Sequence, residues 1–326
     1  MRSLGSVFRL RVEEAIALVF LLPTTYLTLT ADLYVQREGI LGARYPGGVV
    51  RLQVAVAFLA FLAAALKLRP GARWVCNLRE GLPILTCILI YTNLHDTIGF
   101  VNPHDVHHHL VAFDQWLFGA QPCVWSERFI TSGRTELMSF FYVNFFWLAP
   151  STSLVLLGLR RWSAFRATTM AVLTCFFLGY FLYVVFPAAP PRLVLASQFS
   201  VNLGGYPTGF ARLSAGAIEL LPVDSRAAFP SLHTAVSLVA LICAWRFVRP
   251  AFWLLLPFVL GLWVSTIYLR HHYFVDLLAG WLLAPVALYL APRLDRFWAR
   301  HQRARGVAPA LGVDAGPAAA TRRGPA

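Results

Sequence analysis

The sequence predicts an all-α membrane protein, a polytopic bundle of about eight transmembrane helices. The chain has 326 residues, of which 58% are hydrophobic and only 13% are charged. Soluble domains usually contain about 45–50% apolar and about 25% charged residues, so this composition is typical of a polytopic membrane protein. Eight segments are also apolar over close to the roughly 20 residues that a helix needs to cross a bilayer.

The eight predicted spans follow one another without an internal repeat. They are residues 13–34, 51–67, 81–100, 136–158, 167–187, 231–248, 251–269 and 274–292. Each is apolar on all sides rather than along one stripe, as expected of helices buried in lipid. The span at 81–100 is the least regular, because Asn93, His95 and Asp96 lie in its second half.

The spans divide the chain into three parts. We expect an N-terminal pair of transmembrane helices in residues 1–70 and a six-helix core in residues 81–292. Residues 293–326 are expected to form a cytoplasmic, disordered tail, because its later part is rich in Ala, Gly, Pro and Arg. The five cysteines contain no CxxC motif and predict neither a disulfide framework nor a zinc site.

The distribution of basic residues orients the chain across the membrane. The termini and every second connection between spans hold 19 of the 28 Lys and Arg, and ten of the fifteen acidic residues lie on the opposite side. Because Lys and Arg accumulate on the cytoplasmic side, we expect both termini there and the connections 101–135, 188–230 and 270–273 outside. The net charge of +13 is therefore explained by topology and gives no support to nucleic-acid binding.

The turn between the last two spans is unusually polar. Arg270, His271, His272 and Asp276 fall within seven residues there, and ionisable groups at the end of a span are costly and usually functional. His272 and Asp276, four residues apart, would share a helix face, whereas His271 would not face Asp276. A carboxylate that accepts from one imidazole nitrogen leaves the other free as base or nucleophile. The alternative is a set of polar anchors at two helix ends.

A second motif, Pro230-Ser231-Leu232-His233, stands directly before a span. Proline suits the first turn of a helix, so the amides of Ser231, Leu232 and His233 would point out of the helix N-terminus and form an anion site. The Ser231 hydroxyl and the His233 ring add proton donors. The alternative is a capping serine beside an incidental interfacial histidine.

A third motif surrounds Arg192, where a span ends against Pro187, Pro190 and Pro191. The prolines stop the helix and stiffen its exit. We expect them to hold Arg192 at a fixed height above the membrane, where a guanidinium suits bidentate contact with phosphate oxygens.

Together the motifs resemble the type 2 phosphatidic acid phosphatase superfamily, whose pattern is KxxxxxxRP, PSGH and SRxxxxxHxxxD in that order. Residues 230–233 match the second block with leucine for glycine, and Ser265, His272 and Asp276 match the third. The forms FPSLH and YLRHHYFVD look closer to the inositol phosphorylceramide synthase-like branch. The resemblance covers roughly residues 81–292.

The resemblance implies a phosphoryl-transfer enzyme that acts on a lipid phosphate or phospholipid through a phosphohistidine. His272 would be the nucleophile, oriented by Asp276, and His233 would protonate the leaving oxygen and later activate water or an alcohol acceptor. Arg192, Ser231 and the Leu232 amide would hold the phosphoryl oxygens. This set suffices chemically without a metal or other cofactor, because phosphoryl transfer mainly needs positioning and charge stabilisation. Hydrolysis and transfer both remain open.

Two cations of the family pattern are missing. Val185 stands where the first block has lysine, and Thr266 where the third has arginine. On a continuous helix, Arg270 would lie one turn beyond Thr266 on the same face, so we expect Arg270 to replace the missing arginine. Arg226, five residues before Ser231, is a second candidate.

A further cluster of polar residues runs from His95 and Asp96 through the segment His104–His109 to Asp114. Imidazoles and carboxylates at helical spacing could bind a transition metal. We favour an interfacial helix on the outer surface, whose apolar residues dip into lipid. Those residues are Leu110, Val111, Phe113, Trp116, Leu117 and Phe118.

Two other classes of membrane protein compete with the enzyme. Transporters usually place polar residues near the midplane on broken helices, whereas here they gather at span ends on one side. A catalytically weak or non-enzymatic lipid-binding protein would keep the fold without the chemistry. The presence of His233, His272 and Asp276 together favours an enzyme.

Overall fold

The computed structural model of the chain describes residues 10–30, 56–58, 60, 86–92, 94, 97–206, 208–219 and 225–310. Within these ranges the chain is helical apart from turns, irregular connections such as 102–106, and one isolated bridge between Ala188 and Ala227. The predicted all-α class is therefore confirmed for the described part of the chain.

The α-helices follow the apolar segments and the polar connections between them. In chain order they are α1 (Val12–Thr30), α2 (His107–Phe118), α3 (Pro122–Trp125), α4 (Ser132–Val143), α5 (Phe145–Gly158), α6 (Trp162–Val185), α7 (Pro191–Val194), α8 (Phe210–Glu219), α9 (Leu232–Phe247), α10 (Arg249–Tyr268) and α11 (Phe274–Arg303). Two short 3₁₀ turns, Ser126–Phe129 and Ala196–Gln198, stand after α3 and α7.

Three of the described helices, α6, α10 and α11, are long and apolar enough to cross a membrane. The pair α4 and α5, bent by 41°, adds a fourth if it forms one span, and α9 is apolar but only 16 residues long. The predicted span 51–67 lies largely outside the described residues, whereas the described residues of span 81–100, which are 86–92, 94 and 97–100, are helical. The eight spans and the six-helix core therefore stay predictions.

The last helix extends past its predicted end at residue 292. Pro292 lies inside α11 without ending it, and the helix runs on to Arg303. Its last turns are anchored because the side chains of Trp298 and Gln302 donate to the carbonyl of Leu10. The first part of the predicted tail is thus helical, and residues 311–326 lie outside the described ranges.

A buried ion-pair triad joins three helices at the far end of α11. The guanidinium of Arg166 in α6 donates to both carboxylate oxygens of Glu13 in α1, at 2.8 and 2.9 Å. It also donates to both oxygens of Asp295 in α11, at 2.7 and 3.1 Å. Paired hydrogen bonds on both sides compensate charges that would be costly in an apolar interior. Asp295 is 19 residues beyond Asp276, which is about 28 Å along a helix.

Helix α9 lies in the middle of the bundle, where it packs against α5, α6, α10 and α11. Its first turn approaches α11 closely because residue 280 is glycine. A Cβ on Gly280 would lie 2.7 Å from the carbonyl oxygen of Ser231. The close contact brings the N-terminal ends of α9 and α11 together, and with them the second and third sequence motifs.

Candidate active site

Backbone hydrogen bonds join the three sequence motifs. The amide of Ala188, after α6, donates to Arg226, and Ala228 donates back to Ala188, both at 3.0 Å. The amide of Ser231 then donates to the carbonyl of Asp276, also at 3.0 Å. The exits of α6 and α10 and the entries of α9 and α11 therefore meet in one place.

His272 and Asp276 are paired, but not across a helix face. Nδ1 of His272 lies 3.1 Å from Oδ2 of Asp276, which also accepts from the amide of Tyr273 at 2.9 Å. Helix α11 begins only at Phe274, so His272 lies in the turn before it. Asp276 is the third residue of the helix and reaches back over its N-terminus. The predicted contact is present, and its cause is this capping geometry rather than helical spacing.

A second histidine continues the chain of contacts. Nδ1 of His233, in the first turn of α9, lies 3.1 Å from Nε2 of His272. A carboxylate acceptor at Nδ1 of His272 favours the tautomer whose Nε2 carries the lone pair, and Nδ1–H of His233 can then donate to it. Asp276, His272 and His233 thus form a continuous hydrogen-bonded relay.

Burial keeps the histidines of the turn uncharged. His272 is only 4% exposed. Burial lowers the pKa of His272 to about 3, the charge of Arg192 acts in the same direction, and a hydrogen bond with the Ala228 backbone opposes them. Burial, followed by the charge of Arg192, also lowers the pKa of His271 well below its usual value. At neutral pH both rings are therefore neutral, and Nε2 of His272 keeps the lone pair that a nucleophile needs.

Two aromatic residues that the sequence analysis did not single out pack on the imidazoles. The ring of Tyr142 lies 4.9 Å from that of His233 and 4.3 Å from that of His271, and Phe145 lies 4.5 Å from His233. Both flank Asn144, the break between α4 and α5. Asn144 is the one polar residue in this aromatic stretch, and a single asparagine was not enough to predict a bend at the site.

Arg192 lies beside the histidines. Pro190 caps the short helix α7 and Pro191 is its first residue, as the proline motif predicts for a stiff exit. The amide of Arg192 donates to the carbonyl of Arg270 at 3.0 Å, and its Nη1 lies 3.2 Å from Nδ1 of His271. Burial lowers the pKa of Arg192, but a guanidinium stays protonated at physiological pH.

Arg270 does not share a helix face with Thr266, although its spacing in the sequence predicted that it would. Helix α10 ends at Tyr268 and Arg270 has φ +64°, so it does not continue the helix of Thr266 and the premise of a shared face is wrong. Its guanidinium instead donates to Glu127 at 2.8 Å and to the carbonyl of Val201, and it lies over the ring of Phe199. Burial lowers the pKa of Arg270 while the charge of Glu127 raises it.

Arg226 also has an acidic partner. Its Nη1 lies 3.4 Å from Oδ1 of Asp105, and the side chain runs against Gly99. The charges of both proposed substitute cations are thus compensated by carboxylates, whereas Arg192 lies against the neutral ring of His271.

Polar groups at the N-terminus of α9 bind other parts of the protein, whereas an open anion site would leave them free. Ser231 is fully buried, its hydroxyl accepts from the amide of Thr234, and its own amide is bound to Asp276. The side chain of Leu232 fills the space beside Gly179, where a Cβ would collide with it. The expectation of a free amide at Ser231 therefore does not hold, because the carbonyl of Asp276 accepts from it, whereas the role of the Leu232 amide stays a prediction.

His107, His108 and His109 form the first turn of α2, and His104, Asp105 and Val106 precede the helix. Among the described residues, no three His, Cys, Asp or Glu side chains are arranged to hold a metal ion. Trp116, Leu117 and Phe118 are exposed, as the interfacial helix requires. Leu110, predicted to dip into lipid, is instead buried in a small protein core. That core also contains Cys123, Ala188, Leu195, Ala228 and Tyr273.

The same helix supplies an acidic residue at the site. The carboxylate of Asp114 accepts from the amides of Phe274 and Val275, at 2.7 and 3.0 Å. Its partners lie about 160 residues further along the chain, and the sequence around Asp114 does not indicate this contact. Asp114 therefore joins α2 directly to the N-terminus of α11.

Known proteins similar to this chain point to one family. The sequence profile described as the PAP2 superfamily matches residues 108–290. The inositol phosphorylceramide synthase of Candida albicans is 36% identical over 123 residues, 33% of this chain and 25% of that protein. The catalytic subunit of that synthase from Saccharomyces cerevisiae is 38% identical over 125 residues, 33% of this chain and 29% of that protein.

A bacterial relative matches at similar identity. The phosphoinositol dihydroceramide synthase of Bacteroides thetaiotaomicron is 31% identical over 118 residues, 32% of this chain and 37% of that protein. The matches thus cover well under half of each of these relatives. No solved structure matches the chain.

Proposed function

The chain belongs to the PAP2 superfamily, and we propose that it is a membrane enzyme that transfers a phosphoryl group from a phospholipid or lipid phosphate through a phosphohistidine. The observation that carries the proposal is the relay from Asp276 through His272 to His233. The matched range 108–290 contains this relay and Arg192. A neutral nucleophile, a proton donor and a cation are the parts that this reaction needs.

In the proposed first step, Nε2 of His272 attacks phosphorus and the bond to the leaving oxygen breaks. His233, whose protonated form is favoured by the negative charge of the bound phosphate, gives its proton to that oxygen. The carboxylate of Asp276 stabilises the positive charge that develops on His272. Because Nε2 of His272 and Nδ1 of His233 are only 3.1 Å apart, the substrate must separate the two rings to place phosphorus between them.

In the proposed second step, His233 acts as the base. It takes the proton of water or of an alcohol as that oxygen attacks phosphorus, and the bond from phosphorus to Nε2 of His272 breaks. Both histidines then return to their starting states. The proposed roles use no metal or other cofactor, since Arg192 supplies the positive charge for the phosphoryl oxygens.

A phosphodiester donor and an alcohol acceptor fit the charges of the site better than a phosphate monoester and water. Val185 replaces the family lysine, and Glu127 and Asp105 compensate Arg270 and Arg226. The remaining cation beside the histidines, Arg192, suits a phosphodiester with a single negative charge. The relatives are named as synthases, which also favours transfer over hydrolysis.

We place the site at the extracytoplasmic face of the cell membrane, with both termini in the cytoplasm. The excess of Lys and Arg at the termini and alternate connections supports this orientation. The substrate would then be a lipid of the outer leaflet.

Purified protein incubated with phospholipid labelled in its phosphate, with and without candidate lipid alcohols, tests the proposal. We expect label to move from the phospholipid into a new lipid when the right alcohol is present, and His272→Ala to prevent this. Label that appears only in water-soluble phosphate would make the enzyme a phosphatase. Lipid binding without any turnover would favour the non-enzymatic alternative, a lipid-binding or transport protein that keeps the fold.

The assignment of the phosphate cation can be tested by comparing Arg192 with Arg270. Arg192→Ala is expected to lower kcat/KM by roughly 10–100-fold, because it removes charge-assisted hydrogen bonds to the phosphoryl oxygens. Arg270→Ala is best combined with Glu127→Gln, so that no unpaired carboxylate remains, and this pair is expected to change kcat/KM far less. A larger loss in the Arg270 variant would restore Arg270 as the phosphate ligand.

A further inference from the structure

Asp114 holds the N-terminus of the helix that carries Asp276. We propose that Asp114 is a positioning residue for the His272–Asp276 pair: it occupies the first amides of α11 and so leaves the Asp276 carboxylate free to orient His272. The inference rests on the proposed function, because it assigns Asp114 a part in preparing the same nucleophile. The hydrogen bonds of the Asp114 carboxylate go to backbone amides of α11, so it acts on the pair through the start of this helix.

The contact is a buried, charge-assisted helix cap. Asp114 is 1% exposed, and its two oxygens each accept from a different amide, Phe274 and Val275. These are the first two residues of α11. The first amides of a helix lack partners within the helix and carry its positive dipole end, so an acidic side chain is stabilising there.

Asp276 would otherwise compete for these amides. It is the acidic residue of the first turn of α11, and acidic side chains at this position readily turn back onto the amides at the helix start. In the structure Oδ2 of Asp276 accepts from the amide of Tyr273, and the same oxygen faces Nδ1 of His272. Its other oxygen, Oδ1, has no hydrogen-bond partner among the described residues. Few contacts therefore hold this carboxylate towards the imidazole.

Apolar packing sets the distance between α2 and α11. The rings of Phe118 and Phe274 lie 4.9 Å apart, and Leu110 shares a small core with Tyr273. The hydroxyl of Tyr273 donates to the carbonyl of Ala189 at 3.1 Å. With the backbone held in this way, losing the Asp114 carboxylate would free two amides beside Asp276 without removing the helix from its place.

Three variants separate positioning from stability. Asp114→Ala removes both acceptors, and Asp114→Asn keeps one oxygen and serves as the conservative rescue. Thr131→Ala is the matched control, because Thr131 caps α4 through a single bond to the amide of Arg134 and lies outside the relay. We expect Asp114→Ala to lower kcat by roughly 10–100-fold, as residues that orient a ligating or catalytic side chain do. Asp114→Asn should lie in between, with KM nearly unchanged in both.

A second readout does not depend on activity. In protein labelled with ¹⁵N-histidine, the ring nitrogens of His272, identified by their loss in His272→Gln, report which nitrogen carries the proton. We expect the wild type and Thr131→Ala to hold the proton at Nδ1, and Asp114→Ala to show a mixture of tautomers.

The outcomes distinguish failure of the inference from failure of the proposed function. If the wild type is inactive but His272 still changes from a single tautomer to a mixture in Asp114→Ala, the proposed function is rejected and the positioning role is kept. An Asp114→Ala variant with kcat within about twofold of the wild type and an unchanged His272 tautomer would overturn the inference. A loss in Thr131→Ala as large as that in Asp114→Ala would also overturn it, because the effect would then reflect general stability.

Discussion

His272→Ala is expected to reduce phosphoryl transfer by about 10⁴-fold or more, the scale seen when a covalent nucleophile is removed from an enzyme. The expectation follows from the site, since Nε2 of His272 is the nitrogen that the Asp276 contact leaves with a lone pair. Initial rates with labelled phospholipid, above the background of empty membranes, measure the loss.

The neighbouring residue provides a matched control for this variant. His271 is also buried, but its Nδ1 faces Arg192 and its ring lies on Tyr142. Its replacement by alanine should disturb phosphate binding through Arg192 and raise KM, while most of kcat remains. If His271→Ala abolished turnover and His272→Ala retained it, the two histidines would have to exchange roles.

Asp276→Asn is expected to lower kcat by roughly 10²–10³-fold with little change in KM, the scale seen when one group that stabilises transition-state charge is removed. Oδ2 of Asp276 accepts from the amide of Tyr273 and also faces Nδ1 of His272, so the single amide oxygen of asparagine can keep both contacts. What is lost is the negative charge that stabilises the positive charge developing on His272. The change therefore acts on this charge and leaves the fold and the ring tautomer in place.

Thermal unfolding in detergent checks that the Asp276→Asn variant is folded, and the ¹⁵N shifts of His272 check its tautomer. We expect a melting temperature close to that of the wild type together with a proton that stays at Nδ1. A folded variant that keeps the proton at Nδ1 and has kcat within about twofold of the wild type would contradict the role given to Asp276.

Local sequence predicted the helices but not their breaks. Apolar composition was enough for α6, α10 and α11, because a segment that must avoid water folds its backbone into helix. The ends were less certain, since Pro292 lies inside α11 and a bend at Asn144 interrupts an apolar stretch. Both are decided by packing against other segments, which a single stretch of sequence does not contain.

The residues expected to take part in the reaction could be identified from sequence motifs, whereas the residues that contact them could not. His233, His272 and Asp276 lie in motifs whose residue types indicate acid, base and anion contacts. The contacts of Asp114 with Phe274 and of Glu127 with Arg270 join positions 160 and 143 residues apart. The role expected for Arg270 assumed an unbroken helix, and the helix end at Tyr268 removed that assumption.

The central claim is that the phosphoryl group passes through His272, and trapping the phosphoenzyme tests it most directly. Protein is mixed with phosphate-labelled phospholipid, quenched in alkali and digested, and the labelled peptide is sequenced by mass spectrometry. We predict an acid-labile, alkali-stable adduct on His272 that is absent from His272→Ala. Turnover that proceeds with no adduct on His272, or with label on another residue, would contradict the account.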